Sequence, residues 1–470
     1  MDIISIQKFS NFIIKALDKA SQPNSVASFA FTPEGTLSIS ELGVIIKEYE
    51  KSFYWEKPEE GIIFVGLGEL HYVSESGIGR FAITEKKIRL FQDSFINNWD
   101  EFNEVKFPLF VGGMKFSSEN EKEIWDNYPD SNWFIPHFMI TRQAGEIKIL
   151  YNFLISPSSS KEKLERDFEY KLAQVIKLTA KPEQPAIRPS VILRAGNGSK
   201  DKKKWMESVK KAIEIIESDK VKKVVLSRKV ELELNREPDL TSIIKDFRQK
   251  YPGCYLFMFH SGKSTFFGAS PEKLIKLDNG WIEADALAGS APRGQNDAED
   301  KELEEKLLNS EKDNNEHNAV KEYLVKLFSS ISDEVHYEQS PRIKKIKNIQ
   351  HLWTPIKAKL KPMQKIFSIL ENLHPTPAVC GVPKSEAMHI IKRLEEYPRG
   401  LYAGILGWFN FNGEGEFTVS IRSALIKGKK LYIFAGGGIV EGSDPANEFK
   451  ETELKLNPIL SLFESENTNK

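Results

Sequence analysis

An α+β fold built on antiparallel sheet is what this sequence predicts, and three observations carry that expectation. Strand-like and helix-like segments arrive in runs, without the strict alternation of βαβ units. Residues 400–410, 416–426 and 430–435 read as successive antiparallel strands, with Asn412-Gly413 and Lys427-Gly428 as turns. A chain of 470 residues with 40% apolar content is long enough to bury a large core.

Taken in order, residues 1–20 break their apolar positions with charges every few residues, which predicts a short amphipathic helix and neither a signal peptide nor a membrane span. The apolar runs at 61–68 and 149–155 read as strands, and 160–178 as a charged amphipathic helix. The segments KPEQPAIRPS (181–190) and GNGSKDKKK (196–204) bracket a short apolar piece. They predict a boundary between a strand-rich region, 1–195, and a region richer in chemical signals, 200–465. In the second region, 205–218 alternates at helical period, while 221–227 and the almost wholly apolar 255–260 read as strands. Residues 265–277 hold two strand-like pieces about a Ser-Pro turn, and 297–327 and 386–394 read as helices.

Composition excludes several classes of function. With 66 basic and 67 acidic residues the net charge is −1, so no field of one sign is available to attract nucleic acid or an anionic membrane. The two cysteines, Cys254 and Cys380, have no CxxC or metal-ligand spacing, which excludes a disulfide framework and points to a cytoplasmic setting.

The segment AGGGIVEGSDPANEFKETELK (435–455) holds the densest signal. Gly436, Gly437 and Gly438 follow an apolar run and read as a loop with bare N–H groups; Asp444 reads as an N-cap and Pro445 as the first helical residue. Glu448, Glu451 and Lys455 then fall at i, i+3 and i+7 on one helical face. A second acidic pair, Asp313 and Glu316, stands i, i+3 on another helix. Two carboxylate doublets beside bare N–H groups suit an anionic substrate held partly through a divalent cation. A glycine turn before a solvated helix is the plainer alternative. His317 reads as a surface or hydrogen-bonded histidine, since no HExxH accompanies it. GASPE (268–272) lacks the second glycine of a nucleophile elbow, and the 436–438 glycines fail the GxGxxG fingerprint.

Nine motifs then form one ordered series: KVVLSR (223–228), FGASPE (267–272), LAGS (287–290), Glu316-His317, QHLWTP (350–355), HPTPAVCG (374–381), YAG (402–404), Ile421-Arg422 and the 436–455 segment. Over residues 200–460 this series resembles the chorismate-utilising enzymes, and within them the isochorismate-forming branch. The resemblance implies one large α+β unit of two antiparallel sheets packed face to face with helices outside, and chorismate as substrate. It implies Mg²⁺ held by Glu316 and Glu451, with Asp313 and Glu448 as water-mediated partners. Lys223 matches the general base and Glu272 the general acid. Arg422, Tyr402, Ser290, His351, the N–H groups of Gly436 to Gly438 and Lys455 match the substrate-binding set. Without the resemblance, Lys223 reads as an exposed strand lysine, Glu272 as a turn carboxylate and His351 as a packing residue beside Trp353.

Within the family, ammonia-using members generally lack a lysine at position 223, and aminodeoxychorismate synthases usually carry one at 288. Lys223 and Ala288 therefore imply water as nucleophile, with no obligatory amidotransferase subunit. Salicylate synthases tend to have threonine where Ser290 stands. A long N-terminal region resembles the menaquinone-pathway form; a catechol-siderophore enzyme and a salicylate synthase are the alternatives.

Overall fold

A computed structural model describes residues 3–34, 45–102, 105–118, 123–179, 188–195, 198–218, 221–345, 349–362 and 364–463. The strands form two sheets. The larger runs in the order Val191–Ala195, Lys223–Leu234, Lys430–Ile439, Ser423–Lys427, Ser264–Ser270, Tyr255–Ser261, Lys51–Lys57, Ile62–Leu67, Phe138–Gln143, Glu146–Ile155, Ser25–Phe31, Ile96–Asn97. Gly381–Val382 adds a short pairing to the outer side of the Lys223 strand. The smaller sheet runs Ser332–Tyr337, Ile349–Leu360, Trp281–Pro292, Lys273–Asp278, Gly415–Val419, Ile405–Phe409, Phe110–Met114, Ser131–Ile135, His71–Glu75, with Arg342–Lys345 also paired to Ile349–Leu360. Among the described residues every pairing is antiparallel except that of Ser25–Phe31 with Ile96–Asn97.

Strand alternation explains the layers. In Lys51–Lys57, Phe53 and Trp55 face the core between the sheets, while Tyr54 faces the opposite core under helices. Tyr255–Ser261 does the same: Phe257 and Phe259 point inward, Leu256 and Met258 outward, and the whole strand is buried. A sheet covered on both faces reads as continuous apolar sequence. Aromatic pairs bridge the two sheets, Phe64 with Trp408 (ring centroids 5.1 Å apart) and Phe134 with Phe259 (6.0 Å). The helix Ile3–Lys19 puts Phe9, Phe12, Ile13 and Ala16 into the outer core, as its amphipathic pattern predicts. Lys161–Thr179, Leu240–Lys250 and Pro445–Leu460 cover the same face of the larger sheet.

Strands from both halves of the chain share each sheet: Lys51–Lys57 pairs with Tyr255–Ser261, and Phe110–Met114 with Ile405–Phe409. Part of the predicted boundary, residues 180–187 and 196–197, lies outside the described residues.

Three local expectations are corrected. The single helix read over 297–327 is two, Asp297–Leu308 and Glu311–Ile331. Ser310 starts the second by accepting from Asp313 N–H, and the Asn314 side chain donates to the carbonyls of Leu308 and Ser310. The strand read over 416–426 is also two, Gly415–Val419 in the smaller sheet and Ser423–Lys427 in the larger. At the break Ala403 N–H donates to Ser420 C=O, and Arg422 takes a left-handed φ of 52°. The third correction concerns the glycines, which are strand and not loop: Gly436, Gly437 and Gly438 pair with Ser227, Leu226 and Val225 inside Lys430–Ile439.

Candidate active site

Two neighbouring strands cross from one sheet to the other side by side, and the site forms at that seam. Ser264–Ser270 leaves the larger sheet and continues as Lys273–Asp278 in the smaller; Gly415–Val419 and Ser423–Lys427 cross the opposite way. Where a strand leaves a ladder its backbone groups need other partners. Here the crossings supply one another: Val419 N–H and Thr418 Oγ1 donate to Glu272 C=O (3.2 and 2.6 Å), Ser270 Oγ donates to Val419 C=O (2.6 Å), and Ala269 N–H donates to Arg422 C=O (3.2 Å). Glu272 and Arg422 are thereby fixed as near neighbours.

Among the described residues the Glu272 carboxyl meets one weak donor, Thr376 Oγ1 at 3.5 Å. Burial pushes it up to about 7, against the opposing pull of that donor and of Lys223, Arg422 and Lys455. It therefore holds its proton near neutrality, as a general acid must. A protonated-carboxyl infrared band should disappear with a midpoint of about pH 7 in the free protein and be missing from Glu272→Gln; a midpoint in the ordinary carboxylate range would contradict the assignment. Burial lowers the Arg422 guanidinium, partly offset by Tyr402 and Glu451, and its side chain hydrogen-bonds no protein group among the described residues.

Lys223 begins its strand, and its Nζ donates to Glu316 Oε1 at 2.8 Å. Burial pushes the Glu316 carboxyl up, but Lys223, Lys312 and Lys455 together outweigh it and the net shift is downward. The glycines opposite make room for this chemistry. A Cβ on Gly438 would stand 2.9 Å from Lys223 Cε, one on Gly436 3.1 Å from the Tyr402 hydroxyl, and one on Gly437 3.0 Å from Glu448 Oε2. Alternation puts Lys223 and Tyr402 on one face of the sheet and Glu448 on the other.

Backbone direction separates the three glycines as well. Gly436 C=O accepts from Lys455 Nζ (2.9 Å), so it points away from the Lys223 strand. Its pairing partner Ser227 donates its N–H elsewhere, to Glu395, as Val225 opposite Gly438 donates to Cys380 C=O. In an antiparallel ladder this leaves the N–H groups of Gly436 and Gly438 on the free edge and commits that of Gly437 to Leu226. Pairing with Ser423–Lys427 ends at Ile433, which opens that edge.

The two acidic helices converge here. The positive charges of Lys312 and Lys455 reach both Glu316 and Glu448. Glu451, half exposed, pairs with Lys455 at 2.6 Å, and burial lowers the Lys455 ammonium. Glu448 Oε1 accepts from Ser443 Oγ (2.9 Å), while its Oε2 is buried without a partner among the described residues, and burial raises this carboxyl. Asp313 is engaged within its helix start, accepting from Ser310 Oγ. Asp444 caps the C-terminal helix as the sequence predicts, accepting from Ala446 and Asn447 N–H. Among the described residues no group of three or more His, Cys, Asp or Glu side chains stands together as a metal cage.

Ser290 and His351 face each other across paired strands, Oγ to Nδ1 2.7 Å. Burial and Arg422 hold His351 down to about 4, so it is neutral. Tyr402 stacks on Phe434 (5.2 Å, 21°), and burial pushes its hydroxyl up to about 12. His317 is fully buried, with Nε2 2.8 Å from Thr354 Oγ1, and takes no part in the acidic cluster. Sequence reasoning gave no role to Thr376, though it lies in HPTPAVCG, nor to Lys312 beside Asp313.

Comparison with known proteins identifies the family. Residues 12–464 match the family described as chorismate binding enzyme. The chain is 31% identical to the isochorismate synthase MenF of Bacillus subtilis, over 99% of each chain. It is 30% identical to the salicylate biosynthesis isochorismate synthase of Pseudomonas aeruginosa, over 92% of this chain and 88% of the relative. The fold matches the menaquinone-specific isochorismate synthase MenF of Escherichia coli, with a TM-score of 0.78 and 22% identity over 98% of this chain and 100% of the other. It also matches anthranilate synthase component I of Streptococcus pneumoniae, with a TM-score of 0.65 and 21% identity over 84% and 91%. Over nearly its whole length, this chain belongs to the family of chorismate-binding enzymes.

Proposed function

We propose that this chain is an isochorismate synthase, an isomerase that adds water at C2 of chorismate with loss of the C4 hydroxyl. The observation that carries the reading is the pairing of functions at the seam: an amine, Lys223, across from a carboxyl, Glu272, that burial keeps protonated. Water is a poor nucleophile and hydroxide a poor leaving group, so the exchange needs a base and an acid together. Once released from its ion pair with Glu316 as the neutral amine, its extra proton lost to solvent, Lys223 takes a proton from water as the water oxygen bonds to C2. The ring double bonds shift, the C4–O bond breaks, and Glu272 gives its proton to the departing oxygen. Atoms balance as an isomerisation.

Chorismate carries two carboxylates. Arg422, whose side chain hydrogen-bonds no protein group among the described residues, suits a bidentate grip on one. The Tyr402 hydroxyl and the open N–H groups of Gly436 and Gly438 line the same edge. The donors on the two helices are hard oxygens, and Glu448 Oε2 is buried without a partner among the described residues, a set that fits Mg²⁺ with Glu316 and Glu451 as its protein ligands. When bound, Mg²⁺ supplies positive charge that holds a substrate carboxylate and polarises the ring. Asp313 and Glu448 would then hold water beside it.

The test is incubation of the purified chain with chorismate and Mg²⁺ alone, without ammonium or a partner subunit. Isochorismate should form, with salicylate and pyruvate minor. Anthranilate on adding ammonium, or stoichiometric pyruvate, would falsify the assignment. Menaquinone biosynthesis is the pathway we favour, supported by the end-to-end match with the Bacillus relative. Salicylate biosynthesis is the second reading, favoured by the Pseudomonas relative named for it. Two buried cysteines without a disulfide, and the lack among the described residues of a helix long and apolar enough to cross a membrane, are compatible with a cytoplasmic enzyme.

A further inference from the structure

We infer that the buried ion pair Glu395–Arg399 positions the base Lys223 relative to the acid Glu272; this rests on the isochorismate synthase reading. Arg399 is 3% exposed, and each of the three nitrogens of its guanidinium donates a hydrogen bond. Nε donates to Glu395 Oε2 (2.9 Å), one terminal nitrogen to Val379 C=O (2.7 Å), and the other to Val225 C=O (2.7 Å) and Glu395 Oε1 (2.5 Å). The guanidinium lies over the Phe116 ring, 4.3 Å from its centroid. Glu395 Oε1 also accepts from Ser227 N–H (2.7 Å).

Val225 C=O and Ser227 N–H lie on the outer edge of the Lys223 strand, two and four residues beyond the base. The short strand Gly381–Val382 reaches only Lys223 and Val224 on that edge. Past it, the Glu395–Arg399 pair takes the place of a neighbouring strand. The same guanidinium holds Val379 C=O, and Val379 and Cys380 N–H both donate to Thr376 C=O (3.1 and 3.0 Å). Thr376 Oγ1 in turn reaches Glu272. One planar fork thus joins the strand that carries the base to the segment that contacts the acid. Tyr402 N–H donates to Arg399 C=O (3.0 Å), which ties the substrate-facing turn to the same point.

A buried ion pair adds little net stability, because desolvating both charges offsets their attraction, whereas its fixed geometry determines relative position. The proton-transfer groups work at two ends of one ring, where a misplacement of about 1 Å costs about 10²-fold in rate. Arg399 and Glu395 touch no reacting atom in this arrangement; they act through Lys223 and Thr376.

The experiment is a double-mutant cycle on isochorismate formation by the full chain with Mg²⁺. Arg399→Lys keeps the charge and loses the fork, and Glu395→Gln serves if Arg399→Lys does not fold. Either should lower kcat by about 10²-fold with KM for chorismate little changed. In a Lys223→Ala background the same substitution should cost clearly less than it does in the wild type, because the part of its effect that passes through the lysine is already lost. Arg248→Met, which breaks the Arg248–Glu56 pair (2.6 Å) in the outer layer, should lower thermal stability and leave kcat per folded molecule unchanged. An unchanged kcat in the Arg399 and Glu395 variants, or losses that simply add to that of Lys223→Ala, overturns the positioning role. A wild-type chain that leaves chorismate unchanged overturns the functional reading instead, and the two failures are distinct.

Discussion

Replacing Lys223 by alanine should slow isochorismate formation by about 10²- to 10⁴-fold, the loss typical of a positioned acid or base. Glu272→Gln should fall in the same range from the other side of the reaction, since the amide keeps the shape of the carboxyl and has no proton to give. Neither change should abolish chorismate binding, because the substrate carboxylates are gripped elsewhere. Arg422→Ala supplies the contrast. It removes a bidentate partner and should raise KM more than it lowers kcat. Calorimetry with chorismate on the inactive variants separates the two behaviours. Near-normal turnover by Lys223→Ala would place the base elsewhere and end this mechanism.

The second large effect belongs to the carboxylates. Glu316→Gln or Glu451→Ala should stop turnover and lose Mg²⁺ binding measured by calorimetry, since a cation held by few protein oxygens cannot spare one. Glu316 has a second duty in the metal-free protein, where it is the ion-pair partner of Lys223. Its loss therefore also leaves the base without its anchor. Glu451 pairs instead with Lys455, whose ammonium also binds Gly436 C=O, so Glu451→Ala tests the metal without touching the base. Full activity of Glu451→Ala in excess chelator would sink the metal assignment.

Much of the site was legible from residue types and order. Asp444-Pro445 announces a helix start because its side chain and its fixed φ act within one turn. The amphipathic period of residues 3–19 and the buried run at 255–261 likewise express contacts repeated along one element. The ordered motifs from Lys223 to Lys455 carried the family resemblance.

What failed did so where one segment's environment is supplied by another. The run over 416–426 keeps a strand pattern straight through Ser420, so its period cannot reveal that the chain changes sheets there. The switch is decided by Glu272 C=O taking Val419 N–H and by the turn at 400–404 taking the Ser420 backbone. Three consecutive glycines look like a loop because no side chain argues for a strand. They are strand because they pair with Ser227, Leu226 and Val225, and glycine because Lys223, Tyr402 and Glu448 stand where their side chains would be. By itself, then, the sequence determined which groups are present and which helix faces carry them. The tertiary structure alone decided that Lys223 meets Glu316, 93 residues away, that Glu272 is buried enough to keep its proton, and that only Gly436 and Gly438 turn free N–H groups to the open edge. Charge pairing, desolvation and ladder direction are set by neighbours in space, and a local pattern records only neighbours along the chain.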